Sequence, residues 1–188
     1  NMSGYGVTLL AFPDEGNAFV TFPQLCGQMG ANFAMNEKGL IATFDGGESE
    51  LEEDTQFGFA DFISALVYAT FKCDTAAEAE KTISSLGIAG GWIYQFADAK
   101  KDLRILELTS AHQATRLPGD YGEKNYIHAA NHFIDEDMRK SSIDVESNKD
   151  SYTRYDTEEK ILAEKYGGLT LESMMGIMAS HDWWDGEK

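Results

Sequence analysis

Hydrophobic residues follow two different periods along the chain, and the changes of period predict the order of its elements. Residues 6–12 and 18–23 are short apolar runs bounded by turns, which is typical of strands. Residues 30–47 contain two further extended pieces around the turn Asn36–Gly39, where glycine supplies a positive φ. We therefore predict an N-terminal block of antiparallel strands.

A helical period follows the acidic stretch 48–54. Thr75 and Glu78 form the pattern of a capping box, so we predict that a second helix begins there and ends near Gly87. The first helix is predicted from apolar positions at i, i+3, i+4 and i+7 spacing, namely Phe59, Phe62, Ile63, Leu66, Val67 and Phe71.

The second half of the chain repeats this order of strands and then helices. Period-two and apolar runs predict strands at 92–99, 103–109, 112–117 and 126–131. Helices are predicted at 151–166 and 170–179, where the apolar stripe Leu171, Met174, Met175 and Met178 is interpreted as core filler. Hairpin-like strands favour antiparallel pairing, and no internal repeat occurs. We predict one α+β domain over residues 1–188, a sandwich of two mainly antiparallel sheets covered by helices.

Charge restricts the partners. The chain has 15 basic and 32 acidic residues, for a net charge of −17 at pH 7. Such a surface repels phosphate backbones, so we predict no nucleic-acid partner and no binding to anionic membranes. No apolar run reaches the roughly 18 residues of a membrane-spanning helix. The protein is expected to be soluble, either cytoplasmic or secreted, and a homo-oligomer is an open alternative.

Most motifs that carry chemistry are missing from the sequence. The four histidines, His112, His128, His132 and His181, do not form a helical i, i+4 pair, so no metal site is predicted. No Gly-Lys-Ser/Thr phosphate loop, GxGxxG or GxSxG pattern occurs, and we predict no cofactor.

Polar residues at strand ends and helix starts remain as candidates. Asn36 is also a good turn residue, and Arg154 is also placed to pair with an acid one helical turn away. Asn131 ends an apolar strand without an adjacent glycine. Because a buried amide without a partner costs about 1–3 kcal/mol, Asn131 is either satisfied locally or used.

The order of several short motifs resembles a known family, the acyl-CoA:6-aminopenicillanate acyltransferases of the N-terminal-nucleophile hydrolases, which are related to the choloylglycine hydrolases. The αββα sandwich is the fold that this resemblance implies. The motifs, in chain order, are GANFAMNEKGLIA (30–42), Ala97-Asp98, Glu107, Asn131-His132-Phe133, Ser151 with Arg154, and Ser180-His181.

The resemblance also implies a chemistry. A cysteine at the start of the processed chain would attack an amide. Its own α-amine, which has a pKa of about 7.7–8, would serve as the base. Asn131 and Asn36 would donate to the oxyanion, Arg154 would favour the thiolate, and His132 and Phe133 would shape the substrate pocket. The implied activity is that of a hydrolase or acyltransferase acting on a non-peptide amide C–N bond of a small molecule, after autoproteolysis of a precursor.

The sequence departs from the family at its start. The first residue is Asn1, Ser3 stands where an aspartate is expected, and Cys26 lies in another element. We therefore expect the nucleophile upstream of Asn1 and a sequence truncated at both ends. Two alternatives stay open, a catalytically inactive relative that binds an acyl-bearing molecule and an acidic interaction module. In the enzyme, Asn131 and Arg154 are expected to converge near residues 1–5.

Overall fold

Seven strands form one antiparallel sheet in which each strand pairs with its neighbours along the chain. The computed structural model describes residues 7–23, 32–47, 49, 53 and 60–179. The strands are β1 (Leu9–Ala11), β2 (Phe19–Thr21), β3 (Phe33–Asn36), β4 (Ile41–Gly46), β5 (Trp92–Ala97), β6 (Leu103–Leu108) and β7 (Gln113–Arg116). The predicted α+β class with antiparallel pairing is confirmed.

The pairing of β4 with β5 joins the two predicted strand blocks. It runs from Ile41 opposite Ala97 to Gly46 opposite Trp92, so both blocks belong to the same sheet among the described residues. The hairpin predicted around Asn36–Gly39 connects β3 and β4, and Gly39 has the expected positive φ of 84°. A side chain would be strained in this conformation.

Two helices cover one face of the sheet, and both begin at side-chain caps. Asp61 accepts hydrogen bonds from the backbone of Ile63 and Ser64 at the start of α1 (Phe62–Lys72). The predicted N-cap is present at α2 (Ala76–Ser84), because Thr75 accepts from the Glu78 backbone. The capping box itself is not closed, since the Glu78 side chain accepts from the backbone of Asp74, one residue before the cap, and not from that of Thr75.

Strand alternation divides the side chains of β4 and β5 between the two faces of the sheet. The buried core beneath α1 and α2 takes one set, which includes Ala42, Phe44, Tyr94 and Phe96, together with Leu66 and Ile83 of the helices. The alternate positions, Thr43, Asp45 and Gln95, therefore belong to the opposite face.

The opposite face is crossed by residues 126–140, and here the predicted strand 126–131 is wrong, because this segment is irregular. Its apolar side chains pack down onto the sheet instead of extending its edge. Ile127 and Ala129 pack against a second core cluster of Ile93, Ile105, Phe133 and Met138. Side chains supply backbone partners that a neighbouring strand would otherwise provide, since Arg116 and Asn148 donate to the carbonyl groups of residues 128 and 131.

Two further helices, α3 (Lys149–Glu164) and α4 (Leu171–Met178), follow at the predicted positions. The interpretation of the α4 stripe as core filler is wrong, because Leu171, Met175 and Met178 are 62–81% exposed. Within the described ranges, no helix is long and apolar enough to cross a membrane.

Candidate functional site

A cavity of about 530 Å³ lies on the second face of the sheet, bordered by residues 126–131, α3 and α4. Its walls differ in character. The polar wall includes Thr43, Asp45, Gln95, Asn131, Arg154 and Glu158. The apolar wall includes Ile127, Leu162, Leu169, Met174, Ile177 and Met178. An apolar enclosure with a few convergent polar groups is the usual form of a small-molecule site.

Asn131 is held at both ends of its side-chain amide. Its Nδ2 donates to the Gly46 carbonyl at 3.1 Å, and its Oδ1 accepts from Arg154 Nη2 at 2.8 Å. Its own backbone carbonyl accepts from Asn148 Nδ2 at 2.8 Å. An amide nitrogen carries two N–H groups, and the second has no protein acceptor within the described residues. Asn131 is thus an oriented donor in the cavity wall.

Arg154 is fixed in turn by its own helix. Its Nε donates to Asp150 Oδ2 at 2.9 Å, one helical turn earlier, while Nη2 reaches Asn131. The structure therefore brings together Asn131 and Arg154, the two leading candidates from the sequence. Residues 1–5, near which they were expected to converge, lie outside the described residues.

A buried ion pair holds the segment that carries Asn131. Arg116 Nε lies 2.8 Å from Glu107 Oε1, and both side chains are at most 1% exposed. Arg116 Nη2 donates to the carbonyl of His128, and Glu107 accepts from the backbone of Ile134 and Asp135. The pair thus contacts the chain on both sides of Asn131.

Sequence analysis missed two carboxylates of the cavity, Asp45 and Glu158. Burial raises the pKa of both carboxyl groups; the charge of Arg154 opposes this shift at each. Gln95 Nε2 donates to Asp45 Oδ2 at 2.8 Å. The strand alternation of β4 could have placed Asp45 opposite the helical core, whereas no local signal marks Glu158.

His132 and Phe133, predicted to contact substrate, are buried beside the cavity and do not line it. The His132 ring stacks on Tyr152 at 3.8 Å between centroids, and its Nδ1 lies 2.7 Å from Ser151 Oγ. Phe133 belongs to the second core cluster, next to Ile93. Both side chains therefore support the segment from which Asn131 projects.

The buried imidazole gives the stability a dependence on pH. Burial, and then the charges of nearby arginines, lower the pKa of His132 to about 4. As the pH falls, the unfolded chain, in which the pKa of histidine is about 6.5, binds a proton on this imidazole before the folded protein does. The stability that depends on the neutral, buried ring is therefore complete above about pH 6.5 and is lost toward about pH 4. We expect His132→Gln to reduce the slope of unfolding free energy against pH by about 1.4 kcal/mol per unit within that window. Urea unfolding at several pH values measures this slope, and equal slopes would contradict the assignment.

Asn36, the third predicted catalytic residue, lies outside the cavity lining. Its Nδ2 donates to the carbonyls of Thr70 and Cys73 at 2.8 Å each, and its Oδ1 accepts from the backbone of Lys38 and Leu40. All of its side-chain hydrogen-bonding capacity joins the β3–β4 turn to the end of α1. The structure does not bring Asn36 to Asn131 and Arg154.

This placement predicts a loss of stability without a loss of turnover. Asn36→Ala leaves buried carbonyl groups without donors, so we expect it to lower the unfolding free energy by about 2–3 kcal/mol. We expect kcat to stay within about twofold of the wild type, since the amide does not reach the cavity. A loss of kcat with unchanged stability would restore the catalytic assignment of Asn36.

Among the described residues, cysteine does not contribute to this site. Cys73 is buried at the end of α1, and burial raises the pKa of its thiol. Cys26, Ser3, Ser180 and His181 lie outside the described residues. In the part of the chain that the structure describes, no group of three or more His, Cys, Asp or Glu side chains is arranged to hold a metal ion.

Comparisons with known proteins agree with the resemblance in the sequence. The family model of acyl-coenzyme A:6-aminopenicillanic acid acyl-transferase matches residues 5–178. A point variant of conjugated bile acid hydrolase from Clostridium perfringens superposes with a TM-score of 0.50 and 10% identity, over 86% of this chain and 62% of that one. Penicillin V acylase from Agrobacterium tumefaciens matches with a TM-score of 0.41 and 16% identity, over 58% and 36%. A search of curated protein sequences gives no significant match.

The fold is that of the N-terminal-nucleophile hydrolases. Within that class, the chain belongs to the acyl-coenzyme A:6-aminopenicillanic acid acyl-transferase family. It spans 36–62% of the length of the two solved structures described above.

Proposed function

We propose that this protein is a hydrolase or acyltransferase that acts on a non-peptide amide C–N bond through a cysteine nucleophile N-terminal to residue 1. The observation that carries the proposal is the clamped amide of Asn131, which projects from the cavity wall with Arg154 on its oxygen and one N–H unused by described residues. Family membership supplies the reaction class.

In this proposal, the cysteine thiolate attacks the carbonyl carbon of the amide, and the α-amine of the same cysteine takes the thiol proton. The carbonyl oxygen becomes an oxyanion and accepts the remaining N–H of Asn131. A fixed donor stabilises the developing charge without reorganising, which lowers the barrier most where water is excluded.

Collapse of the intermediate breaks the C–N bond. The protonated α-amine returns its proton to the leaving amine, and a thioester remains on the cysteine. Water then completes a hydrolase cycle, or a second amine completes an acyltransferase cycle, by attacking the thioester.

Arg154 has two roles in this scheme. It holds the Oδ1 of Asn131, so the amide presents its nitrogen, not its oxygen, to the oxyanion. Its positive charge also favours the thiolate form of a nearby cysteine. Asp150 keeps the guanidinium in position through Nε.

The proposal is tested on the protein produced from its complete reading frame. We expect N-terminal sequencing to give cysteine as the first residue of the mature chain. Incubation with a panel of N-acyl amides followed by intact mass should show an acyl adduct on that cysteine and release of the free amine. Alkylation of the cysteine should abolish both. A mature chain that binds acyl compounds but forms no adduct and releases no amine would identify a binding protein instead.

A further inference from the structure

The described residues give the cavity more negative charge than their positive groups offset. Two carboxylates, Asp45 and Glu158, line it, and Arg154 is the single cationic side chain among the described lining residues. Arg154 is already paired through Nε with Asp150, which brings a third carboxylate to the same guanidinium. His128 also lines the cavity, but burial lowers the pKa of its ring and leaves it neutral at pH 7.

Within the described part of the chain, neither lining carboxylate has a charged partner in direct contact. Asp45 accepts one hydrogen bond at Oδ2 from the neutral amide of Gln95, and its Oδ1 accepts none from described residues. Glu158 projects from α3 half-buried, and its carboxylate accepts no hydrogen bond within the described residues. Neither carboxylate forms an ion pair within 4.0 Å among those residues, although the charge of Arg154 acts to lower the pKa of both.

The fully buried carboxylate on the same face of the sheet is treated differently. Glu107 lies 2.8 Å from Arg116 and accepts hydrogen bonds from the backbone N–H groups of Ile134 and Asp135. Partly buried charges are costly unless they are paired. Asp45 and Glu158 face an open cavity and have no such partner among the described residues. A cation that entered the cavity would therefore pair with these carboxylates.

We infer that Asp45 and Glu158 form a specificity site for a positively charged group of the substrate, either an ammonium or a guanidinium. The assignment of this group to a substrate rests on the proposed amide chemistry. An organic cation fits these side chains, because the two carboxylates and the glutamine amide provide separate hydrogen-bond acceptors along one wall of the cavity. The opposite wall, with Leu162, Ile177 and Met178, receives the hydrocarbon part. The substrate class is therefore an amide that is apolar at one end and cationic at the other.

The test uses the full-length processed protein and two matched series of amides. In the first, a hexanoyl group is joined to putrescine, pentylamine or γ-aminobutyrate, which are cationic, neutral and anionic. In the second, pentylamine is joined to ε-aminocaproyl or heptanoyl groups. We expect kcat/KM for the cationic member of one series to exceed that of its neutral partner by about tenfold, and the preference to fall as salt is added. The series that shows the preference identifies the end of the substrate that carries the charge.

The variants Asp45→Asn and Glu158→Gln are each expected to lower this preference, measured as the ratio of kcat/KM for the cationic member to kcat/KM for its neutral partner, about three- to fivefold. Glu164→Gln is the matched control, because Glu164 lies on the same helix, is exposed and does not line the cavity. Equal kcat/KM for cationic and neutral members in both series would overturn the inference. So would variants that change all members alike.

Calorimetric titration of the same compounds into the Asn131→Ala variant separates the two proposals, because it requires no turnover. Tighter binding of cationic members that is lost in the Asp45→Asn and Asn131→Ala double variant would support the cation site even if no amide is cleaved. That result, without cleavage of any amide, would reject the proposed function and leave the cation site standing. Cleavage of neutral and cationic amides with equal binding would leave the proposed function standing and reject the cation site.

Discussion

Replacing Asn131 with alanine will lower kcat by roughly 10²–10³ while changing KM by less than about threefold, the loss expected for one oxyanion donor. The alanine removes the amide N–H that has no acceptor among the described residues, and it also removes the acceptor of Arg154 Nη2. Because the donor is needed only when charge develops on the carbonyl oxygen, the effect falls on turnover and not on ground-state binding. Steady-state kinetics on a cleavable N-acyl amide, with active-site titration of the nucleophile, measures both constants.

Asn125→Ala is the matched control for this variant. Asn125 carries the same side chain in the same part of the chain, but it is exposed, donates to the hydroxyl of Tyr166, and does not line the cavity. We expect it to retain kcat within about twofold. If Asn131→Ala keeps wild-type kcat in an active enzyme, or raises KM alone, then Asn131 has a role in binding only.

Local signals in the sequence predicted the elements whose structure is decided locally. The turn at Asn36–Gly39 and the caps at Asp61 and Thr75 depend on residues within four positions of one another, and the hairpin and the Thr75 cap of α2 formed as predicted. The segment 126–131 has the apolar character of a strand, yet it packs onto the sheet face. That outcome depends on Arg116 and Asn148, which supply its distant hydrogen-bond partners and which no short window reveals.

The residues of the candidate site also divide into those that sequence motifs reveal and those whose relation depends on distant contacts. Asn131 and Arg154 could be found because their motifs resemble a known family, and the structure joins them by a 2.8 Å hydrogen bond. Asn36 shares their residue class but serves the β3–β4 turn. Asp45 and Glu158 lie 113 positions apart in the chain and were not found, since their relation comes from the packing of α3 onto residues 126–132, which places Glu158 in the same cavity wall as Asp45.

Besides its apolar packing, the segment that carries Asn131 is held by a buried ion pair. Glu107 binds the backbone after Asn131, Arg116 binds the carbonyl before it, and the two side chains bind each other. Burial raises the pKa of Glu107, and Arg116 together with the backbone N–H groups opposes that shift. An oxyanion donor must be fixed before the charge develops, and a buried pair with several additional hydrogen bonds provides such fixation.

Arg116→Met should therefore lower the free energy of unfolding by about 3–5 kcal/mol, because it leaves the buried carboxylates of Glu107 and Glu123 without their cation. Urea unfolding followed by circular dichroism at neutral pH measures the change. Arg104→Met is the control, since Arg104 lies on the adjacent strand β6 and pairs with Glu80 and Asp102 in a partly exposed position. Its loss should cost no more than about 1 kcal/mol.

A second variant decides whether charge or packing causes the loss. In the Arg116→Met and Glu107→Gln double variant, neither charge remains, and the glutamine oxygen still accepts from the backbone of Ile134. If the loss comes from an uncompensated carboxylate, the double variant should recover at least about half of the stability lost by Arg116→Met. If the two losses simply add, the guanidinium stabilises the protein through its packing and its bond to the His128 carbonyl. The segment that carries Asn131 would then be held without the ion pair.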